Sequence, residues 1–511
     1  LKNGTAISDI QEQSKVSPQI GNHTSYSGFF TTDSSPEADN NMFFWYLPSQ
    51  NGDASAPTLI WLQGGPGGSS LFGMFVEMGP FNVDADFNLI ANPYTWNDKY
   101  NMLFIDNPVG AGFSYTGTGK GYVTNQDEVA DNLYSLLQQF YQVFPDVLKT
   151  DLYVTGESYG GHYVPSISYK IHQENAAIAA GTAEESTDYG APVTIPLKGL
   201  AVGDGWIDPV VQITGYPDMM FNLGKRAYLV PRQWRHRCLH VSPSLTGCVF
   251  ACLCCCLTCS TYSTPGLADQ KQQAVIQDYC DRAVSFIQEG EMLDAFNVWD
   301  EMLNGDVYPY VARANPHSTF AGCPCALTPP LSASLQDPNY FHNITGSNDY
   351  DNILRTNAPA AWDPYADYLN SAATRSAIHV GAVPYGVNAS DCEHNLLADF
   401  HQTMVPRLET LLDADYKIVI YSGQLDVIIA PALTELFLPR VSWAGQQEYI
   451  DADRMVWRVE SNDTEVRVCY HRRLFGTMLL SPDALAAEER CTCKPRTFLT
   501  VLFGMSVLVH A

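Results

Sequence analysis

Short runs of apolar residues that end in glycine-containing loops recur along the chain. They read TLIWLQGG, NMLFIDNPVG, DLYVTGESYGG, KGLAVGDG and YKIVIYSGQLD. Continuous Val, Ile and Leu runs of this length, without polar alternation, are typical of strands buried on both faces of a sheet. The pattern therefore predicts a mostly parallel central sheet.

Helical periodicity separates these runs. NQDEVADNLYSLLQQFYQVFP predicts an amphipathic helix that is capped by Asn125 or Asp127. Alternating strands and helices indicate an α/β fold, in which ligands bind at the carboxyl ends of the strands. ADQKQQAVIQDYCDRAVSFIQEGEMLDAFNVWDEML is helical throughout by period and interrupts that alternation, so we expect a helical cap inserted into the core.

These patterns divide the chain into four parts. We expect residues 1–204 to form the first part of the α/β core, 205–347 the helical cap insertion, 348–466 the second part of the core, and 467–511 a separate tail.

The sequence Gly156-Glu157-Ser158-Tyr159-Gly160 follows the short strand LYVT and precedes a helix. A serine in Gly-x-Ser-x-Gly at a strand-to-helix turn is the nucleophile elbow of α/β-hydrolases, which presents the Ser oxygen at the edge of the sheet. We therefore expect Ser158 to be a nucleophile.

The glycine-rich stretch GGPGGSS lies after another strand, LIWLQ. Glycines let the backbone approach a substrate closely, so the amides of Gly65 and Tyr159 are candidates for an oxyanion hole. A phosphate-binding loop is the alternative, but no Lys followed by Ser or Thr stands at the required offset.

Charge and composition limit the possible binding partners of the protein and its cellular compartment. The 511 residues carry a formal charge of −27, which argues against a nucleic-acid partner. Asn-x-Ser/Thr sequons occur at Asn3, Asn22, Asn343, Asn388 and Asn462. Five candidate glycosylation sites favour the secretory pathway, with an extracellular or an acidic, vacuole- or lysosome-like destination.

The chain begins at Leu1 without a leader, so we expect a signal peptide to have been removed or not included. No apolar run reaches the ~18 residues of a membrane span.

Four motifs in a fixed order resemble the serine carboxypeptidases, most closely the vitellogenic-like branch. They are WLQGGPGGSSLFGMFVEMGPF, IDNPVGAGFSY, TGESYGGHYVP and YSGQLDVII. The resemblance runs from about Phe30 to Val466 with two interruptions. It implies an α/β-hydrolase fold and an enzyme that releases C-terminal amino acids from peptides or proteins with a free C-terminus, with no cofactor and no metal.

The resemblance also implies roles for individual residues. Ser158 is the expected nucleophile, Asp426 orients the catalytic histidine, and Gly65 and Tyr159 form the oxyanion hole. The substrate's terminal carboxylate is expected at Gln63, Gly64, Glu77 and Glu157. Gln63 stands where many members have Asn. For the two glutamates, ordinary surface or helix-terminal carboxylates are the alternative.

Carboxyl groups crowded around a bound carboxylate cannot all be ionised, so one of them has to hold a proton and donate it. We therefore expect substrate binding to weaken as pH rises, and the enzyme to work best at acidic pH.

The catalytic histidine is not evident. The family places it in a Gly-His loop some sixty residues after the aspartate, but this chain has only His471 and His510 after Asp426, and neither lies in a glycine loop. His471 is a weak candidate for a displaced base. His162 is expected to pack in the elbow helix, and His394 and His401 precede the aspartate. The chain as written therefore lacks a clear base.

Residues 225–266 and 311–336 interrupt the resemblance, which ends at Val466. Seven of the 14 cysteines lie in the first passage, two in the second and three after Val466. Removing either passage restores the continuity of the family, and the ends of each allow splice-site codons. We interpret both passages and residues 467–511 as translated introns, with genuine divergence as the alternative.

Three functions remain open. The first is a serine carboxypeptidase that acts through an acyl-enzyme on Ser158. The second is a relative that binds C-terminal peptides without hydrolysing them. The third is an acyltransferase that uses a small alcohol. Gln63, Glu77 and Glu157 argue against the third, because an ester donor offers no carboxylate to bind.

Overall fold

The computed structural model describes residues 6–21, 23–223, 266–304, 339–386, 388–457, 469–472 and 498–503. Its strands are β1 Tyr26–Asp33, β2 Asn40–Leu47, β3 Thr58–Leu62, β4 Phe81–Val83, β5 Leu89–Ala91, β6 Asn101–Ile105, β7 Tyr115–Thr116, β8 Leu152–Glu157, β9 Leu197–Gly203, β10 Lys417–Ser422, β11 Arg454–Trp457, β12 Cys469–Arg472 and β13 Phe498–Phe503. The five apolar runs correspond to β3, β6, β8, β9 and β10, as predicted.

The α-helices alternate with these strands or follow them in groups. They are α1 Ile7–Ser14, α2 Gln126–Val143, α3 Gly160–Ala180, α4 Pro209–Ile213, α5 Tyr216–Asn222, α6 Gln270–Glu289, α7 Met292–Leu303, α8 Tyr340–Thr345, α9 Pro364–Asn370, α10 Ala372–Ala377, α11 Ala389–Leu396, α12 Val405–Asp413, α13 Pro431–Phe437 and α14 Gln446–Asp451. The predicted cap of α2 is Asn125, whose side chain accepts hydrogen bonds from the amides of Asp127 and Glu128.

One large mixed sheet organises the fold. Its strand order is β1-β2-β6-β3-β8-β9-β10-β13-β12-β11, and β7 pairs with β2. Strands β6, β3, β8, β9, β10 and β13 are parallel, whereas the strands at both edges are antiparallel. The expected mostly parallel sheet is confirmed, and it places the ends of β3, β8, β9 and β10 side by side.

Both faces of the central sheet are covered by apolar side chains. In β3, Ile60 and Leu62 belong to the hydrophobic cluster on one face, whereas Leu59 and Trp61 belong to the cluster on the other. Successive side chains of a strand point to opposite faces, so a strand buried on both faces has no polar alternation. This burial explains the continuous apolar runs of the sequence.

The helical block of the sequence forms two helices rather than one. Helix α6 ends at Glu289, the next residue Gly290 adopts a left-handed conformation with φ 83°, and α7 begins at Met292. A left-handed glycine is a common helix terminator because it has no Cβ to clash. The periodicity identified the helical residues correctly but missed this break.

The structure brings together the two flanks of the first interrupting passage, residues 225–266. The amide of Leu267 donates to the carbonyl of Leu223 at 3.0 Å, and the amide of Ala268 donates to Met220 at 3.1 Å. Residues 224–265 lie outside the described part, so the translated-intron hypothesis stays a prediction. The bonded flanks nevertheless show that the described chain leaves and re-enters at one point.

The second passage, residues 311–336, also lies outside the described residues, and its nearest described flanks are in contact. The side-chain amide of Asn339 donates to the carbonyl of Asn304 at 2.9 Å.

Two cysteines of the described part, Cys280 and Cys392, have buried side chains and form no disulfide.

Candidate active site

The predicted nucleophile lies at the sharp turn between β8 and α3. Ser158 has φ 58°, a left-handed conformation that is uncommon for a residue with a side chain. Its amide donates to Gly203 at 3.0 Å, and its carbonyl accepts from Trp206 at 3.0 Å. The backbone of the neighbouring strand β9 and its following loop therefore holds the serine in this strained turn, as expected for a nucleophile elbow.

The glycine-rich loop after β3 packs directly against this elbow. A Cβ on Gly64 would lie 2.6 Å from the nitrogen of Tyr159 and 2.7 Å from the Cβ of Ser158. Gly65 has φ 116°. Only glycine fits at residue 64, and the contact brings the loop that carries the Gly65 amide beside the Tyr159 amide. An oxyanion hole formed by these two amides stays a prediction.

Hydrogen bonds fix the side chain of Tyr159. Its hydroxyl donates to Asp399 at 3.0 Å, and Gln126 donates to the same carboxylate at 2.7 Å. Asp399 and Gln126 also line a cavity of about 370 Å³ that does not include Ser158. These bonds limit how far the amide of Tyr159 can move relative to the serine.

The residues expected to bind the substrate's carboxylate form one connected set. The carboxyl groups of Glu157 and Glu77 are hydrogen-bonded to each other, and Gln63 is bonded to Glu77. Gln63 in turn accepts from the indole of Trp61 at 2.8 Å. Gln63, Glu77 and Glu157 therefore lie together, because β3 and β8 are neighbours in the sheet. Their role in substrate binding stays a prediction.

Desolvation raises the pKa of Glu77 to about 7. Desolvation and the charge of the adjacent Glu77 also raise the pKa of Glu157 well above its ordinary value. Two carboxyl groups in hydrogen-bonding contact cannot both be ionised without strong repulsion. One of the pair therefore holds a proton over the acidic range and can donate it.

Asp426 lies in the loop after β10 and is 7 % exposed. Its two carboxylate oxygens accept hydrogen bonds from the amides of Ile428 at 2.9 Å and Ile429 at 3.0 Å. Desolvation raises its pKa, as do the charges of Asp204 and Asp351. The carboxylate is thus oriented by its own loop, and its role in orienting a base stays a prediction.

Asp204 and Asp351 were not predicted as site residues. Together with Glu77, Glu157 and Asp426 they form what we call the carboxyl cluster. No salt bridge among the described residues involves a member of this cluster. The sequence does carry a signal for Asp204, because it stands between two glycines at the carboxyl end of β9. Asp351 lies in an irregular loop and has no such signal.

The histidines of the described part do not complete a triad. Buried His162 lies on α3, as expected, with its Nδ1 2.7 Å from the carbonyl of Trp206 and its ring stacked on Tyr159. Both ring nitrogens of buried His401 lack a hydrogen-bond partner among the described residues. His394 is on α11. His471 lies within β12, beyond β13 from β10, rather than after a strand.

The remaining predicted positions divide between the described and undescribed parts. Asn343 is exposed on α8, and Asn388 is half-buried just before α11. Asn3, Asn22, Asn462 and His510 lie outside the described residues.

Among the residues that the structure describes, no cluster of His, Cys, Asp or Glu could hold a metal ion. Within the same residues, no helix has the length and apolar character needed to cross a bilayer.

A parallel sheet flanked by helices, with a left-handed serine at the β8–α3 turn and a buried aspartate after β10, defines a protein of the α/β-hydrolase class. The model of the serine carboxypeptidase family matches residues 16–472. The chain therefore belongs to the serine carboxypeptidase family, as the motifs predicted, and the match extends slightly beyond both predicted ends.

Individual relatives agree with this assignment. The probable serine carboxypeptidase CPVL of Homo sapiens is 35% identical over 457 residues, which cover 89% of this chain and 78% of the relative. The vitellogenic carboxypeptidase of Aedes aegypti is 31% identical and covers the same shares. The crystal structure of Kex1(delta)p, a prohormone-processing carboxypeptidase from Saccharomyces cerevisiae, aligns over 98% of this chain and 92% of its own with a TM-score of 0.60. Its 18% identity supports the fold alone.

Proposed function

We propose that the protein hydrolyses C-terminal peptide bonds through an acyl-enzyme on Ser158. The observation that carries the proposal is the direct connection between nucleophile and carboxyl pair. Ser158 follows Glu157 in the chain, and Glu157 is hydrogen-bonded to Glu77, which is bonded to Gln63. A site with a nucleophile beside a protonated carboxyl pair suits a substrate whose reacting carbonyl lies one residue from a free carboxylate.

In this proposal, Ser158 Oγ attacks the last peptide carbonyl, and the amides of Gly65 and Tyr159 stabilise the oxyanion. Gln63, Gly64, Glu77 and Glu157 bind the terminal carboxylate. The leaving amine takes a proton, and water then releases the shortened peptide from the serine. Asp426 orients the base that moves these protons. That base is the one component for which the described residues offer no assignment.

The carboxyl pair predicts an acidic pH optimum. Below the raised pKa of Glu77, about 7, the pair holds the proton that it donates to the substrate's carboxylate. As pH rises through that value Glu77 loses its proton, and its negative charge then repels the anionic substrate. Affinity should therefore be highest in acid and fall above neutrality.

The test compares an N-acetylated peptide with a free C-terminus and the same peptide as a C-terminal amide, at pH 5 and pH 8. Calorimetry measures binding, and mass spectrometry measures release of the last residue. We expect release from the free acid at pH 5, less at pH 8 and none from the amide. Equal binding and equal release for the free acid and the amide would contradict the proposed carboxylate site.

A second candidate, a peptide-binding relative without turnover, is favoured by one observation. The buried histidines near the elbow, His162 and His401, are hydrogen-bonded to neither Ser158 nor Asp426. Binding of the free acid at pH 5 without release would identify this function. Transfer of an acyl group to an alcohol is less consistent with the site, because the carboxyl pair then has no substrate group to bind.

We also propose a secretory-pathway glycoprotein that is secreted or delivered to an acidic compartment. The acidic optimum supports that destination, and exposed Asn343 is an accessible acceptor for a glycan. Expression in a eukaryotic secretory host should yield a protein whose mass falls on treatment with an N-glycosidase. An unchanged mass would contradict glycosylation.

A further inference from the structure

The loop Gly203–Trp206 joins the two sides of the site. On one side, Gly203 accepts a hydrogen bond from the amide of Ser158 at 3.0 Å, and the amide of Trp206 donates to the carbonyl of Ser158 at 3.0 Å. On the other side, the amide of Asp204 donates to Tyr421 at 2.8 Å. One loop therefore bonds both to the nucleophile elbow and to the strand that leads to Asp426.

Asp204 makes the second connection through its side chain. Its Oδ1 accepts from the amide of Gly423 at 2.7 Å, and its carboxyl group is hydrogen-bonded to that of Asp426. The amide of Asp426 in turn donates to the carbonyl of Gly423 at 3.2 Å. Asp204 thus binds the loop of Asp426 at two points. Its backbone has φ 43°, which is uncommon for a residue with a side chain.

A hydrogen bond between two carboxyl groups requires a proton on one of them. Both oxygens of Asp426 already accept amide hydrogen bonds, from Ile428 and Ile429, and this stabilises its carboxylate form. Asp204 accepts one amide bond at Oδ1, which leaves Oδ2 to carry the proton. Desolvation also raises the pKa of Asp426, but its two amide hydrogen bonds oppose that shift, whereas the side chain of Asp204 accepts only one. On this difference in donors we assign the acid to Asp204 and the anion to Asp426.

We propose that Asp204 is a positioning residue, whose protonated carboxyl group donates to Asp426 and holds it at a fixed separation from Ser158. The inference rests on the roles that the proposed function gives to those two residues. An ionised Asp204 would repel Asp426 and release it from this geometry.

The surroundings favour the protonated state of Asp204. The titratable groups that face it from the packed elements are Asp426, Asp351, Glu157, Glu77 and Tyr421. None of these is a cation, and desolvation raises the pKa of Asp204 to about 7. Asp204 therefore keeps its proton in acid and loses it as pH rises through neutrality.

The test measures thermal unfolding of the full chain between pH 5 and pH 8 for Asp204→Asn, Asp426→Asn and the double variant. Asparagine at 204 can still accept from Gly423 and donate to Asp426, but it does not titrate. We expect Asp204→Asn to fold and to lose less of its unfolding midpoint between pH 5 and pH 8 than the natural chain. Asp204→Leu, which removes both bonds, should lower the midpoint at pH 5.

A matched control is Asp106→Asn, because Asp106 is another desolvated carboxyl with a pKa raised to about 7. Asp106 is not among the groups that act on Asp426. The changes in midpoint from Asp204→Asn and Asp426→Asn should be non-additive, whereas those from Asp106→Asn and Asp426→Asn should add. Additive behaviour of the first pair would overturn the proposal.

Infrared spectroscopy gives a readout that a merely structural role would not change. At pH 6 the difference spectrum between the natural chain and Asp204→Asn should show the loss of one carboxylic-acid C=O band. A spectrum that instead shows the loss of a carboxylate would overturn the assignment of the proton. Neither measurement requires turnover, so a chain that fails to hydrolyse peptides would weaken the proposed function and leave this test intact.

Discussion

The two sides of the site differ in how completely the fold supplies them. On the side of β3 and β8, backbone packing or hydrogen bonds hold Ser158, the loop of Gly64 and Gly65, and the carboxyl pair. On the side of β10, Asp426 is oriented by two amides but lacks an assigned base. If these groups act as proposed, substrate binding and proton transfer belong to separate parts of the chain, and experiments can separate them.

The largest expected effect comes from removing the nucleophile. Ser158→Ala should reduce any release of C-terminal residues by a factor on the order of 10³ or more while leaving peptide affinity nearly unchanged, because the carboxyl pair is intact. Rates from mass spectrometry and affinities from calorimetry check both parts. Ser168→Ala, on the same helix, is the control and should change neither. Turnover that survives in Ser158→Ala would place the nucleophile elsewhere.

The packing of the glycine loop on the elbow predicts the next largest effect. Gly64→Ala would force a Cβ to within 2.6 Å of the Tyr159 nitrogen, so the loop or the elbow must shift. We expect a loss of about 1–3 kcal/mol of unfolding free energy, typical of overpacking, together with weaker peptide binding. Gly28→Ala is the control, because Gly28 also lacks a left-handed conformation and its added Cβ would meet only Phe44 Cε1, at 3.8 Å. Equal losses in both variants would mean that the close approach is not important.

The carboxyl pair predicts a smaller effect that depends on pH. For the natural chain we expect affinity for a free-acid peptide to fall about tenfold per pH unit above the raised pKa of Glu77, about 7, because one proton is lost. Glu77→Gln keeps a donor that does not titrate, so its affinity should fall less between pH 7 and pH 8. Exposed Glu37→Gln should behave as the natural chain. An unchanged pH slope in Glu77→Gln would remove Glu77 from the site.

The smallest effect on the site is expected from deleting residues 225–266. Since Leu267 is hydrogen-bonded to Leu223, a single glycine at 224 can join the two ends without moving α5 or α6. The shortened chain should bind the free-acid peptide as the natural chain does and unfold at the same temperature or higher. A variant with a Gly-Ser linker in place of the passage controls for its length. Loss of folding in the deletion alone would show that the passage is needed.

Much of this site follows from sequence because its parts stand at the ends of strongly apolar strands. Burial on both faces gives β3, β8 and β10 uninterrupted apolar runs, which are easy to identify in the sequence. The polar residues that follow these strands lie close together because parallel strands end at the same edge of the sheet. Ser158, Glu157, Gln63 and Asp426 all belong to this group.

Other features depend on packing that the sequence does not display. The hydrogen bond between Asp204 and Asp426 joins loops more than two hundred positions apart, and only the adjacency of β9 and β10 brings them together. The break at Gly290 could have been predicted from glycine's role at helix ends, although the periodicity on either side hid it. Asp351 lies in an irregular segment where no period constrains its position.

The hydrogen bond between Leu223 and Leu267 has a consequence for how this protein can change over evolution. Closing a longer loop costs only about 0.6 kcal/mol for each doubling of its length. The free energy of unfolding of the hydrolase core therefore depends only weakly on how many residues are added between Leu223 and Leu267. A gene can therefore gain or lose coding sequence at this point without selection against misfolding of the core. The same junction offers a place to insert a foreign domain while leaving the residues around Ser158 in position.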